Sequence, residues 1–347
     1  MSLLGRAEWS WRELSWYAVA VLLFAGLLYF ADTRTFLDAL GRVDRSIFAV
    51  GIGVGLLSLF VWAWVWHRFF GQLSITATPT KTVRLFFSGH FLNSVTPLGQ
   101  FGGEPVMAYI IADTTDSEYE GALAAVVSSD LVNAVPFFTF TIGGVGYLYL
   151  FGSLQGFLFD IGWIAFLILL FGGGVAYLLW SPDGTLGRAA VGLLTAIDRR
   201  VGWGDGIFRS LQDRIRRTEA LFERAGRDRA FLLTTIAGSH LAIVAQIVSL
   251  YVVFLAMGLE PTIVPLYFIV NLSTIATLSP TPGGSGTYEA AFSWLMTLFY
   301  SVDLATALTA AVLFRLTTYW PGLVVGFLTL LTLDREGDVE PPQEAEL

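Results

Sequence analysis

The sequence contains no cysteine, which excludes both a disulfide framework and a cysteine metal site. Its three histidines, His67, His90 and His240, form no pair at ligand spacing, so no zinc site is expected. No phosphate-cradling nucleotide loop occurs either, and no cofactor is expected. Charge is scarce: 14% of residues are charged, and Lys81 is the single lysine among 20 basic residues. A net charge of −8 and a pI near 4.9 argue against a nucleic-acid partner. What remains is apolar. The 347 residues are 55% hydrophobic with a mean hydropathy of +0.66, the composition of an all-α polytopic membrane protein.

Two polar, glycine-rich stretches interrupt this apolar chain. Thr96-Pro97-Leu98-Gly99-Gln100-Phe101-Gly102-Gly103-Glu104 and Thr281-Pro282-Gly283-Gly284-Ser285-Gly286-Thr287-Tyr288-Glu289 share the pattern T-P-x-G-x-x-x-x-E at a constant offset of 185 residues. Pro280 precedes the second copy. Proline lacks a backbone donor and glycine favours leaving a helix, so non-helical chain is expected at both places. Bare peptide groups at that depth must be covered by protein or face a wet cavity. Each copy follows one apolar run and opens another, which reads as an internal repeat.

In chain order, Leu14 to Ala31 is long enough for a first span, followed by a polar connection from Asp32 to Arg45. No removable signal peptide is expected, because the apolar run is long and lacks a small-residue cleavage site. Ser46 to Phe70 reads as a second span ending in a belt of Trp62, Trp64, Trp66, His67 and Arg68, an interfacial anchor. Gly121 to Phe151, Phe157 to Trp180, Ala230 to Met257 and Ala305 to Leu333 read as further spans, the last with a kink at Pro321. The arms flanking the first motif, Val83–Val95 and Val106–Ile111, look too short to cross singly, as do those around the second, Ile263–Leu278 and Ala290–Phe299. The expectation is therefore about six full spans plus two re-entrant helical hairpins.

Residues 181–229 form the one extended polar region, with 10 basic and seven acidic residues. Leu186, Ala190, Leu193, Ile197 and Val201 share one helical face, and Phe208, Leu211, Ile215, Thr218 and Phe222 another, so two amphipathic helices on the membrane surface are expected. Residues 1–333 then form a single transmembrane domain, and 334–347 an acidic, disordered tail. If the arginine-rich loop is cytoplasmic, so is the N-terminus. Three full spans separate the motifs, so the hairpins enter from opposite sides as an inverted repeat, with Leu92–Tyr109 matching Thr277–Trp294. If each motif segment instead crosses completely, the spans number eight and the copies are parallel.

Arg315 lies well inside the last span, where a guanidinium needs a carboxylate or phosphate. Glu104, Glu289 and Asp130 are its candidate protein partners, and the pair is either a structural tie or a gate that opens to an anionic headgroup. Glu104 and Glu289 are each expected in the first turn of the helix leaving a break, where backbone donors favour a carboxylate. Asn93, Gln100, Ser285, Thr287 and Tyr288, with His90, Ser94, Asn271 and Ser273, surround the breaks and are candidates to line a wet cavity. His240 and Gln246 read as helix-to-helix hydrogen bonds.

Gly102-Gly103-Glu104, the run Pro280-x-Pro282-Gly283-Gly284-x-Gly286-x-x-Glu289, and Phe314-Arg315-Leu316 with Tyr319-Trp320-Pro321 resemble the flippase-like family formed by the transmembrane region of lysylphosphatidylglycerol synthases. The resemblance runs from the first span to about Leu333. It implies movement of a lipid between leaflets, membrane lipids as partners, and a role for Tyr319 beside Arg315. Two departures stand out: no segment resembles the soluble aminoacyl-transferase domain of bifunctional members, and Ser285 and Thr287 stand where apolar residues are expected. A lipid or glycolipid flippase is the leading expectation. A membrane-embedded enzyme on a lipid-linked substrate, which no nucleophile-base pair supports, and a scaffold for a lipid-modifying enzyme are the alternatives.

The charge-based topology makes a direct prediction. In this cysteine-free chain, Ser210→Cys should resist a membrane-impermeant thiol reagent in intact cells, whereas Asp38→Cys should react. The reverse labelling inverts the topology.

Overall fold

The computed structural model describes residues 32–95, 99–151, 156–180 and 205–333, with short helical pieces within 21–30 and 188–195. Most of the expected first span, Thr96, Pro97, the first amphipathic helix and the acidic tail lie outside the described residues. The fold is all-helical among the described residues. In chain order the helices are α1 (Thr33–Gly41), α2 (Arg45–Gln72), α3 (Pro79–Val95), α4 (Gly99–Thr115), α5 (Tyr119–Phe151) and α6 (Gly156–Trp180). They continue with α7 (Asp205–Gly226), α8 (Arg229–Ala256), α9 (Ile263–Ile275), α10 (Thr287–Phe299), α11 (Leu304–Thr318) and α12 (Trp320–Leu333). Among the described residues, five stretches are long and apolar enough to cross a membrane: α2, α5, Phe159–Trp180 of α6, α8, and Leu304–Leu333, which comprises α11 and α12.

Aspartates mark the starts of several of these helices. Asp44 accepts from the Ser46 and Ile47 amides at 2.8 and 3.1 Å, Asp228 from Ala230 and Phe231 at 2.9 and 3.1 Å, and Asp303 from Thr306 at 2.7 Å. Each carboxylate satisfies backbone donors that the helix itself cannot.

α2 and α8 run antiparallel along their length, from Gly51 beside Val252 and Val253 to Arg68 beside Thr235. The last span packs across them and is broken at Tyr319. Pro321 has no N–H to donate to the Thr317 carbonyl four residues back, so the break falls just before the proline. That carbonyl lies against Gly55 of α2, close enough that a Cβ there would collide with it. Ser249 ties the same junction, donating to the Gly51 carbonyl and to the Thr317 hydroxyl, both at 2.9 Å.

α3 and α4 form an antiparallel hairpin: the Lys81 ammonium donates to the Thr114 carbonyl, Gly89 faces Met107, and Gly103 faces Asn93. α3 also lies along α12, with Arg84 donating to Thr332 at 3.0 Å and Ser88 to Thr329 at 3.1 Å. α9 and α10 form a second hairpin, with α10 lying along α11. Each hairpin thus accompanies a different half of the last span, and each carries its own apolar cluster. Phe69, Phe87, Met107, Ile111 and Val126 belong to the first cluster, and Phe254, Phe268, Phe292 and Phe314 to the second.

Two expectations change here. The glycines Gly99, Gly102 and Gly103 are helical, so α3 and α4 are 17 residues each, and the first motif from residue 99 onward does not leave the helix as expected. Glycine costs a helix only about 1 kcal/mol per residue, which packing against α3 and α5 offsets. α7 is amphipathic as expected, but its apolar face meets protein. Phe222 and Ala225 are buried in the first cluster, and Gly226 lies against the Trp180 indole. The side chains of Phe208 and Leu211 lie outside the described residues.

The Gly55 contact supplies a test. Gly55→Ala should destabilise by about 1–3 kcal/mol, because the new methyl meets main chain that cannot rotate away. Gly53→Ala, where a Cβ meets nothing within 4 Å, should be neutral or stabilising by up to about 1 kcal/mol. Equal unfolding midpoints for the two variants in detergent would contradict the close approach.

Candidate functional site

Helix α3 and the turn of the second hairpin meet beside the break in the last span. The C-terminal end of α3 touches the turn Pro282–Gly284, and Tyr319 stands between them. Its hydroxyl lies beside Ser94 of α3 and its ring packs against His90 at 6.5 Å between centroids. On the other side, the same hydroxyl is in contact with Gly283. Gly283 has φ of 55°, a left-handed conformation that costs glycine little. A side chain there would also displace Tyr319.

Arg315 occupies the centre of this junction and is 3% exposed. Nη1 donates to Glu289 Oε1 at 3.0 Å and Nη2 to the Gly283 carbonyl at 2.9 Å. The guanidinium carbon lies 3.7 Å from the Tyr319 ring centroid and 5.1 Å from that of Tyr288. The cation is therefore paired, hydrogen-bonded and covered by two aromatic faces. Of the three candidate acids, Glu289 is its partner. Glu289 also accepts from the Gly286 amide through Oε2 at 2.7 Å, at the start of α10. One carboxylate thus serves as helix cap and counter-ion.

The equivalent position in the first motif is built differently. α4 begins at Gly99, so Glu104 lies in its second turn, beyond the unpaired amides, and the first-turn expectation fails. Glu104 is half-buried and lies within electrostatic range of Asp130 of α5. The repeat in sequence is not a repeat in pairing.

Other expected residues divide between caps and orphans. Thr287 donates to the Ala276 and Gly284 carbonyls at 3.0 and 2.9 Å, so it caps the second break. Ser94 and Ser273 donate to carbonyls one turn back, His90 and Ile269. Ser285 is half-buried, and the Gln100 side chain lies outside the described residues. Among the described residues, His90 Nε2, Asn93 Oδ1, both amide atoms of Asn271 and Ser293 Oγ are buried without a hydrogen-bond partner. Such atoms cost free energy unless a ligand or water completes them. Ser293 escaped the sequence reading; its place one helical turn beyond Glu289 was the available signal. His240 does bridge helices, contacting Thr139 of α5 at 2.8 Å.

Comparison with known proteins places this geometry in context. A family described as the lysylphosphatidylglycerol synthase TM region matches residues 17–326. A UPF0104 membrane protein of Pyrococcus horikoshii is 26% identical over 324 residues, covering 90% of this chain and 95% of that protein. One from Methanothermobacter thermautotrophicus is 24% identical over 335 residues, covering 92% of each. One from Methanocaldococcus jannaschii is 23% identical over 260 residues, covering 73% of this chain and 75% of that protein.

The ion pair yields a stability prediction. Glu289→Leu alone leaves a buried guanidinium without its counter-ion and should cost roughly 3–5 kcal/mol. Joining it with Arg315→Met should recover most of that loss, because an apolar pair of similar volume often replaces a buried ion pair. Additive losses in detergent unfolding would show that Arg315 is held mainly by other contacts.

Proposed function

This chain belongs to the lysylphosphatidylglycerol synthase TM region family, and from that premise we propose that it is a lipid or glycolipid flippase. The observation that carries the reading is the meeting of α3, the turn of the second hairpin and a broken span beside one buried ion pair, with polar atoms in both hairpins left unpartnered among the described residues. A lipid-facing scaffold has no need of such atoms. An anionic or modified headgroup passing between the tips would supply their partners, and Arg315 would exchange Glu289 for the headgroup phosphate.

On this reading the hairpins are re-entrant and related as an inverted repeat. Arms of 17 residues extend about 25 Å at 1.5 Å per residue, short of an apolar core of about 30 Å. Their packing along opposite halves of the last span brings the two tips to its middle from opposite ends. The arginine-rich segment and the open end of the α3–α4 hairpin lie on the cytoplasmic side. The neutral state of the pair lowers the cost of holding charge at this depth between transport events.

Exchange of a fluorescent phospholipid between leaflets of reconstituted vesicles tests the function. The wild-type chain should accelerate it. The pair-neutral variant carrying Arg315→Met and Glu289→Leu should insert but lose exchange, and Arg315→Lys should restore it only partly, since lysine lacks the planar fork that binds phosphate. Full exchange by the pair-neutral variant would remove Arg315 from transport. A covalently altered lipid would favour the enzyme alternative, and neither change the scaffold.

A further inference from the structure

A second arginine in the apolar wall has no acidic partner among the described residues. Arg68 lies four residues before the end of α2. Its Nε donates to the Thr235 hydroxyl at 3.0 Å, and Nη2 to the Thr234 hydroxyl at 2.8 Å and the Phe231 carbonyl at 3.3 Å. Its guanidinium carbon lies 4.7 Å from the Phe231 ring centroid and 5.3 Å from that of Trp64. Every one of these partners is neutral. They fix the plane of the cation without discharging it, and both Nη1 donors are left without a protein partner among the described residues. Asp228, the acid nearest in sequence to this part of α8, is engaged in capping the helix.

The surroundings fit one kind of anion. Arg68 sits about one turn inside the ends of α2 and α8, the depth at which phospholipid headgroups meet the apolar core. Toward the membrane centre the same wall is apolar and open to lipid. Trp64 is 39% exposed and lies over Gly238, where any side chain would collide with the indole, and Leu241 is 60% exposed. An oriented guanidinium above an aromatic ledge offers a phosphate contact and an acyl-chain contact in the right order along the membrane normal.

We propose that Arg68, with Thr234 and Trp64, binds the phosphodiester and upper acyl chain of one membrane phospholipid on the outer wall of the α2–α8 pair. This site is separate from the Arg315 centre, where the guanidinium is enclosed and already holds a carboxylate.

Native mass spectrometry of the full, delipidated chain in detergent tests the site with three probes: phosphatidylglycerol, monogalactosyl diacylglycerol of the same acyl chains, and inorganic phosphate. The wild-type chain should retain one tightly held phosphatidylglycerol, and Arg68→Gln should weaken it about tenfold or more. The phosphate-free galactolipid should bind no better to wild type than to the variant. Should Arg68→Gln fail to purify, Arg68→Lys carries the test, with an expected loss of about threefold because the fork is gone. The lipid-free unfolding midpoint of the purified variant should move less than the midpoint with phosphatidylglycerol added. Three results would each overturn the proposal: phospholipid affinity unchanged by the substitution, galactolipid held as tightly as phosphatidylglycerol, or inorganic phosphate alone binding Arg68 as tightly as the lipid.

Discussion

A guanidinium buried in a membrane protein must carry its compensation with it, and the middle of this fold is arranged around that requirement at Arg315. Inside a regular helix each carbonyl already accepts from the amide one turn on, so a carbonyl that has left the ladder is the better acceptor for a buried cation. The second motif solves this by leaving the helix. Gly283 turns left-handed and its carbonyl points at Nη2, while Glu289 caps the next helix and meets Nη1. Tyr319 covers the outer face of the cation because the last span breaks there, and the break exists because Pro321 withholds a donor. The glycines, the proline and the ion pair thus answer one electrostatic problem.

The two halves of the molecule share a motif and differ in chemistry. In the second half the glutamate meets an arginine and a backbone amide. In the first, Glu104 meets neither among the described residues and lies within electrostatic range of another carboxylate, Asp130.

Much of this was legible in the sequence. The spans expected over Ser46–Phe70, Gly121–Phe151, Phe157–Trp180 and Ala230–Met257 match α2, α5, α6 and α8 within about two residues, because long apolar runs and aspartate caps mark their ends. The buried role of Arg315 was legible for the same reason, since a charge in such a run demands a partner. Which acid answers it was not. Glu104, Glu289 and Asp130 are equivalent by composition, and the choice depends on how α10 lies against α11. The helical state of Gly99 to Gly103 was hidden because glycine propensity is weak beside tertiary packing. The amphipathic pattern of α7 likewise cannot tell lipid from protein as the surface that receives it.

The central claim is that the meeting point of the tips is a polar path, not a dry structural junction. The absence of cysteine makes it directly measurable by placing one thiol there, as Asn93→Cys, in reconstituted vesicles. The account predicts that a small, charged, water-soluble thiosulfonate reacts with it, and that a phospholipid in transit slows the reaction. A thiol that only lipid-soluble reagents reach, with no response to added lipid, would contradict it.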